Sequence, residues 1–192
     1  MSNSFHNGTF VDLEDFIPDV HLDIRYATTN NFMGRAMYDE PKAFLVQEAA
    51  EALREASINL NDAGVGIVIW DAYRPFSVTR AFWDHTPEEH RIFVANPAVG
   101  SVHNRGCAID MTLCDLSSGT YLEMPTDFDE FSPRSFVDFD PKDETVRENR
   151  SLLISTMGEF GFIVIPKEWW HFNFMEFENY PAMDLSFEEL TH

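Results

Sequence analysis

Hydrophobic and polar positions change their period several times along the chain, and each change predicts an element. Thr9 to Leu13 reads as a short strand, and His21 to Ala27 as a second, with Leu22, Ile24 and Tyr26 alternating against Asp23 and Arg25. Asn30, Asn31 and Gly34 mark a loop. Pro41 is placed to open a helix to about Leu60, in which Leu45, Ala49, Ala52, Leu53, Ala56 and Leu60 keep helical spacing. Val65 to Trp70, VGIVIW, is apolar almost throughout and suits a central strand covered on both faces.

Phe76 to about Ala95 reads as one broken helix or two short ones, with Thr86 as an N-cap, Pro87 in the first turn and Glu88 and Glu89 favouring the helix dipole. Ala108 to Leu113 reads as a strand after Gly106. Pro141 to Phe160 predicts a helix with Val146, Leu153, Met157 and Phe160 on one side, and Phe162 to Ile165 and Trp169 to Phe177 predict two final strands turned about Pro166. Irregular alternation of strands and helices, ending in tight strand-to-strand connections, predicts an α+β fold with a mostly antiparallel central sheet and helices packed against it. One domain over residues 1–192 is expected, with a core over about 9–177 and a C-terminal tail over 178–192.

Composition narrows the class. A chain of 192 residues with 44% hydrophobic positions and 18 Phe can bury an aromatic-rich core without staples. Its 33 acidic against 13 basic side chains, a net charge of -20, repel phosphate backbones and anionic lipid, so no nucleic acid and no membrane partner are expected. The opening residues lack the basic and apolar regions of a secretory signal, and nowhere do about 18 apolar residues run together, so a cytoplasmic location is expected. Cys107 and Cys114 share one extended segment and should stand roughly 20 Å apart, which predicts reduced thiols. No GxGxxG or P-loop suggests a nucleotide.

Of the histidines His6, His21, His85, His90, His103, His171 and His192, two stand in unusual company. His103 lies in the bend of SVHNRGCAID, ahead of Asp110, and His171 ends the run EWWH that begins at Glu168. Strand parity places Trp170, Phe172 and Phe174 on one face and His171 with Asn173 on the other, while Asp110 shares its face with Ala108 and Thr112. Glu168 would oppose His171 in a regular strand, but after Pro166 it is free to swing round. Two histidines and a carboxylate form a catalytic zinc set that leaves a fourth position for water, with Glu168 near enough to be a base. Spacing alone leaves a second reading open, in which His103 caps a turn, Asp110 bonds backbone and His171 is a satisfied, half-buried side chain.

SVHNRGCAIDMTL and EWWHF resemble the SxHxxGxAxD and ExWH signatures of the D-alanyl-D-alanine dipeptidases, the VanX-type zinc peptidases. RYATTNNFMG at residues 25 to 34, WDAYRP at 70 to 75 and the pair Phe128-Asp129 extend the likeness over roughly residues 10 to 175. The resemblance implies a hedgehog/DD-peptidase-like fold, one Zn2+ per chain held by His103, Asp110 and His171, and Glu168 as catalytic base. It also implies Arg74 as the group that stabilises the tetrahedral intermediate, Asp129 as the anchor for a substrate ammonium with help from Tyr26, and Ser101 as a polar contact in the substrate pocket.

Chemistry agrees with that assignment, because peptide hydrolysis builds negative charge on the carbonyl oxygen and a fixed guanidinium stabilises it there. For Arg74 a purely structural ion pair is the competing reading, and for Tyr26 it is core packing. Trp169 and Trp170 are candidates to wall the pocket, with core packing expected for at least one. Cys107 departs from the family by filling a small-residue position, the stretch from His85 to Gly100 is short, and the acid excess is large.

The expected function is zinc-dependent hydrolysis of D-Ala-D-Ala or a related D,D-dipeptide, with that small dipeptide as partner and homo-oligomerisation left open. A carboxypeptidase or endopeptidase acting on peptidoglycan stems is the second reading. A non-catalytic zinc-bearing binding domain is the third, and the presence of Glu168 and Arg74 counts against it.

Overall fold

The apolar run VGIVIW becomes an interior strand of a five-stranded sheet, second from one edge, in the computed structural model, which describes residues 9–191. His6 and His192 lie outside the described residues. The strands are β1 (Phe10–Asp12), β2 (His21–Leu22), β3 (Phe44–Val46), β4 (Val65–Asp71), β5 (Ala108–Asp115), β6 (Phe162–Ile165) and β7 (Glu168–Phe174), and a single-turn helix, α1 (Leu13–Phe16), follows β1. The large sheet runs β2-β4-β5-β7-β6, and β1 with β3 forms a separate antiparallel pair. Among the described residues, β2 and β4 form the one parallel pair. The expected α+β fold with a mostly antiparallel sheet is what the chain adopts.

Register divides the sheet into two faces of different chemistry. Ile67 faces Leu113, Ile69 faces Met111 and Ile109 faces Phe172, and these six join Leu53, Leu60, Leu153 and Met157 in one buried core. The last four belong to helices α2 (Gln47–Asp62) and α4 (Glu144–Glu159), which touch one another and cover that face. Each fully buried leucine there contributes about 1.5–3 kcal/mol. The opposite face carries Val68, Thr112, Asp110 and His171.

Several boundaries differ from the sequence reading, each for a packing reason. Of the strand expected over 21–27, only His21–Leu22 is paired, and after Asp23 N donates to the Ile69 carbonyl the chain coils into a 3-10 turn at Arg25–Ala27. That turn buries Arg25 and Tyr26 side by side, which alternation would forbid. Pro41 does not open the long helix: Phe44, Leu45 and Val46 are all buried in β3, and α2 begins at Gln47.

Thr86 closes α3 (Phe76–His85) by donating its hydroxyl back to the Phe82 carbonyl, and Glu88–Phe93 is a 3-10 helix. α4 starts at Glu144 rather than Pro141, because Asp143 caps the amides of Thr145 and Val146. β7 ends at Phe174, ahead of a 3-10 turn at Phe177–Asn179.

The stretch read as a tail is bonded into the loops beside the sheet. Met183 N donates to the Asn104 carbonyl and Phe76 N to the Met183 carbonyl, while Leu185 exchanges two hydrogen bonds with the Tyr73 hydroxyl. Phe187, in helix α5 (Phe187–Leu190), packs on Tyr38, Phe44 and Tyr73.

Among the described glycines, Gly106 leaves the least room for a side chain. It sits at φ +66°, and a Cβ there would collide with the Phe10 ring and press on Val46 Cγ1 at 3.3 Å. Gly106→Ala should therefore lower stability by about 2–4 kcal/mol, from the left-handed backbone and overpacking together. Urea unfolding should show a lower midpoint at unchanged slope, and an unaltered midpoint would mean that Phe10 yields freely.

Candidate active site and metal centre

Three neighbouring strands bring three polar side chains abreast. Asp110 on β5 pairs directly with His171 on β7. On its other side it pairs with Asp71 on β4, because the register slips between Ile69 and Asp71 and leaves Trp70 unpaired. Without that bulge Trp70 would oppose Asp110 and Asp71 would point away.

A second irregularity acts on β7. Val164 faces Phe172 but Ile165 faces Glu168, so Trp169, Trp170 and His171 have no partners on β6. Both tryptophans sink into the core, Trp169 donating its indole N–H to Thr126 Oγ1 at 2.9 Å, and neither lines the pocket. Glu168 comes round to the side of His171, with Oε2 3.7 Å from Nδ1.

His103 reaches the same point from a 3-10 turn at Val102–Arg105. Ser101 caps that turn and Asn104 reciprocates by accepting from Ser101 N, while Gly106 closes it in the left-handed conformation. Asn104 Nδ2 also donates to the Arg74 carbonyl at 2.8 Å, and Arg74 N donates to the His103 carbonyl at 3.1 Å. The loops carrying His103 and Arg74 are thus sewn together.

Hydrogen bonding fixes what the histidines present. His103 Nδ1 lies 2.6 Å from the Ala72 carbonyl, which can only accept, so Nδ1 carries the hydrogen and Nε2 offers a lone pair. His171 Nε2 lies 2.8 Å from Asn173 Oδ1, so its hydrogen is there and Nδ1 offers the lone pair. These two nitrogens are 3.2 Å apart, and Asp110 places Oδ2 3.2 Å from His103 Nε2 and Oδ1 2.9 Å from His171 Nδ1.

Asp110 Oδ1 is buried without a hydrogen-bond donor. The short approach to His171 is thus a meeting of two acceptors. Three acceptor atoms converge with no hydrogen between them, an arrangement that a cation bound among them relieves. Two imidazoles and one carboxylate, each imidazole held by an outer acceptor, fit a divalent transition metal such as zinc.

Electrostatics set the remaining groups apart. Burial works to raise the Asp110 carboxyl, and positive charge on the adjacent imidazoles, His103 first, outweighs it and lowers that group below the ordinary carboxylate range whenever the rings are protonated. Burial pushes Glu168 up to about 7, against the opposing pull of His171. Asp129 is also raised well above its usual range by burial, although it accepts a hydrogen bond from the Tyr26 hydroxyl at 2.7 Å. Its backbone sits at φ 56°, a strained conformation for a residue with a Cβ.

All eight residues singled out in the sequence, Tyr26, Arg74, Ser101, His103, Asp110, Asp129, Glu168 and His171, line one cavity of about 260 Å³. A larger cavity of about 700 Å³ opens beside Tyr38 and Phe187, and none of the eight lines it. Asn173 and Asp71 were not singled out for roles. Parity already placed Asn173 beside His171, and Asp71 stood in the quoted DAYRP, but the bulge that turns it inward leaves no mark in the sequence.

The family model described as D-ala-D-ala dipeptidase, of the peptidase M15 group, matches residues 6–188. The chain belongs to this family. Among members of the dipeptidase family, it is 35% identical to the D-alanyl-D-alanine dipeptidase of Escherichia coli (strain K12) over 173 residues, covering 90% of this chain and 88% of that one. It is 32% identical to the D-alanyl-D-alanine dipeptidase of Enterococcus faecalis (strain ATCC 700802 / V583), covering 94% of this chain and 98% of the relative. A solved structure of the vancomycin-resistance D,D-dipeptidase VanXYg, in complex with a D-Ala-D-Ala phosphinate analogue, is 21% identical with a TM-score of 0.47, covering 100% of this chain and 65% of that one.

Asn173 offers a direct test of the centre. Removing its amide frees His171 to turn, so Asn173→Ala should weaken zinc binding by about 10–100-fold. Competition against a chromogenic chelator reads this, and an unchanged affinity would show that Asn173 does not hold the ring.

Proposed function

We propose that this chain is a zinc-dependent dipeptidase that hydrolyses D-alanyl-D-alanine or a closely related small D,D-dipeptide. The observation that carries the reading is the convergence, in one cavity of about 260 Å³, of three candidate metal-ligand residues, a half-buried glutamate, an arginine and a half-buried aspartate at a further point. Family membership supports the same reaction.

When bound, zinc polarises the scissile carbonyl and acidifies water. Glu168, pushed up to about 7, accepts the proton of the attacking water and passes it to the leaving amine. Arg74 presents the free edge of its guanidinium to the carbonyl oxygen as charge grows there, so it stabilises the transition state more than the substrate.

Asp129 receives the free ammonium of the dipeptide. A carboxyl raised by burial and holding one hydrogen bond gains most from a cation brought against it, and the Tyr26 hydroxyl fixes which oxygen is turned to it. Ser101, on the cavity wall, adds a polar contact besides capping the His103 turn. This amine-end acid favours the dipeptidase over a carboxypeptidase of peptidoglycan stems, which has no free amine to hold at that point. We place the protein in the cytoplasm, since its free, buried cysteines, Cys107 and Cys114, suit a reducing compartment. No helix among the described residues is long and apolar enough to cross a membrane.

The reading is tested by screening D,D-, D,L-, L,D- and L,L-dipeptides, with N-acylated and longer peptides, in the presence of zinc. D-Ala-D-Ala should be cleaved, chelation should stop it, and Glu168→Gln should keep zinc while losing about 10²–10⁴ in kcat. A Glu168→Gln variant at near-normal rate would remove Glu168 from the mechanism. Asp129→Asn should raise KM for free dipeptides by about 30-fold or more, the scale of a lost buried ion pair. The small activity on N-acylated dipeptides should not change, and an equal loss on both would assign the amine to another group.

A further inference from the structure

Asp71 ligates nothing and stands behind the reacting centre, yet it is as buried as the metal-ligand residues, at 1% exposed. Its Oδ2 accepts from Arg74 Nε at 2.9 Å and from Arg74 Nη2 at 2.6 Å, and its Oδ1 accepts from the Tyr38 hydroxyl at 2.8 Å. The same Nη2 lies 3.5 Å from Asp110 Oδ2, so Arg74 has two carboxylates within reach and hydrogen-bonds only one. The guanidinium rests over the rings of Phe82 and Tyr26, at 4.9 and 5.3 Å, which sets its plane but not its rotation within that plane.

We infer that Asp71 is a positioning residue, which holds the guanidinium of Arg74 off Asp110 and turns its free N–H edge into the cavity. Two N–H groups of the fork are consumed by Asp71, and those that remain are the ones available to a substrate oxygen. Without the Asp71 charge, the nearest anion for Arg74 is Asp110. A guanidinium bonded to Asp110 would leave its place at the carbonyl and compete with the metal for the carboxylate. Tyr38 locks the other oxygen of Asp71, so the carboxylate cannot rotate to follow the arginine. The catalytic part of this inference rests on the proposed hydrolysis, and the metal-binding part does not.

The test is a double-mutant cycle on the full chain: wild type, Asp71→Asn, Arg74→Ala and the pair, each measured for kcat and KM on D-Ala-D-Ala at saturating zinc and for zinc affinity against a chromogenic chelator. Asp71→Asn should lower kcat by about 30-fold with KM within about 3-fold, and weaken zinc by about 10-fold. In the Arg74→Ala background, the same change should alter neither quantity by more than about 2-fold, because the residue it acts through is gone.

Equal losses in both backgrounds would make Asp71 a merely structural acid, and a wild-type rate for Asp71→Asn would overturn the inference outright. Should Asp71→Asn fail to fold, Tyr38→Phe carries the cycle, with a kcat loss of about 5-fold that vanishes without Arg74. If the wild type cleaves no dipeptide, the proposed function falls while the zinc-affinity cycle still decides whether Asp71 restrains Arg74.

Discussion

Holding three lone-pair atoms together in a buried place, with no hydrogen between them, is the demand that shapes this molecule. Nε2 of His103, Nδ1 of His171 and the carboxylate of Asp110 repel one another, and the low dielectric around them sharpens that repulsion. Each is therefore held from behind. The Ala72 carbonyl and Asn173 anchor the rings, and direct pairing of β5 with β7 leaves Asp110 and His171 no freedom to drift apart. The close-packed, largely aliphatic core between the sheet and helices α2 and α4 supports that rigidity, since a loosely packed sheet would relax by shifting a strand.

A second layer of organisation concerns acids other than the ligand. Asp71, Asp129 and Glu168 all approach the centre, and each has a different local companion: the guanidinium of Arg74, the hydroxyl of Tyr26 and the imidazole of His171. Chemically equal carboxyls acquire unequal proton affinities through these companions and through burial. A site built this way can keep one acid ionised while another remains able to exchange a proton near neutral pH.

Much of this was legible from residue order alone. VGIVIW marked a buried interior strand, although β5 is the central one, and the parity of EWWHFNF put His171 and Asn173 on the same side, where β7 has them. The ligand set and Glu168 followed from motif resemblance, and all fall in one cavity. What escaped depends on contacts distant in sequence. Pro41 looked like a helix start because nothing local reveals that Phe44 to Val46 would pair with Phe10 to Asp12. His21 to Ala27 alternated convincingly, yet Arg25 turns inward to Asp23 and Asp127. The bulge at Trp70 left no mark because its cause is a register set by β5.

Bonds from Met183 and Leu185 to the loops beside His103 and Arg74 constrain the order of assembly. Phe10 packs against Gly106 from one end of the chain, while Met183 and Leu185 bond to the loops of Asn104 and Tyr73 from the other. The β4–β5 ladder joins segments nearer in sequence and can form first, whereas the loop of Arg74 is seated only once Leu185 has bonded to Tyr73, 112 residues before it. Formation of the sheet and completion of the site are then separable events in folding, the second waiting on contacts that are distant along the chain.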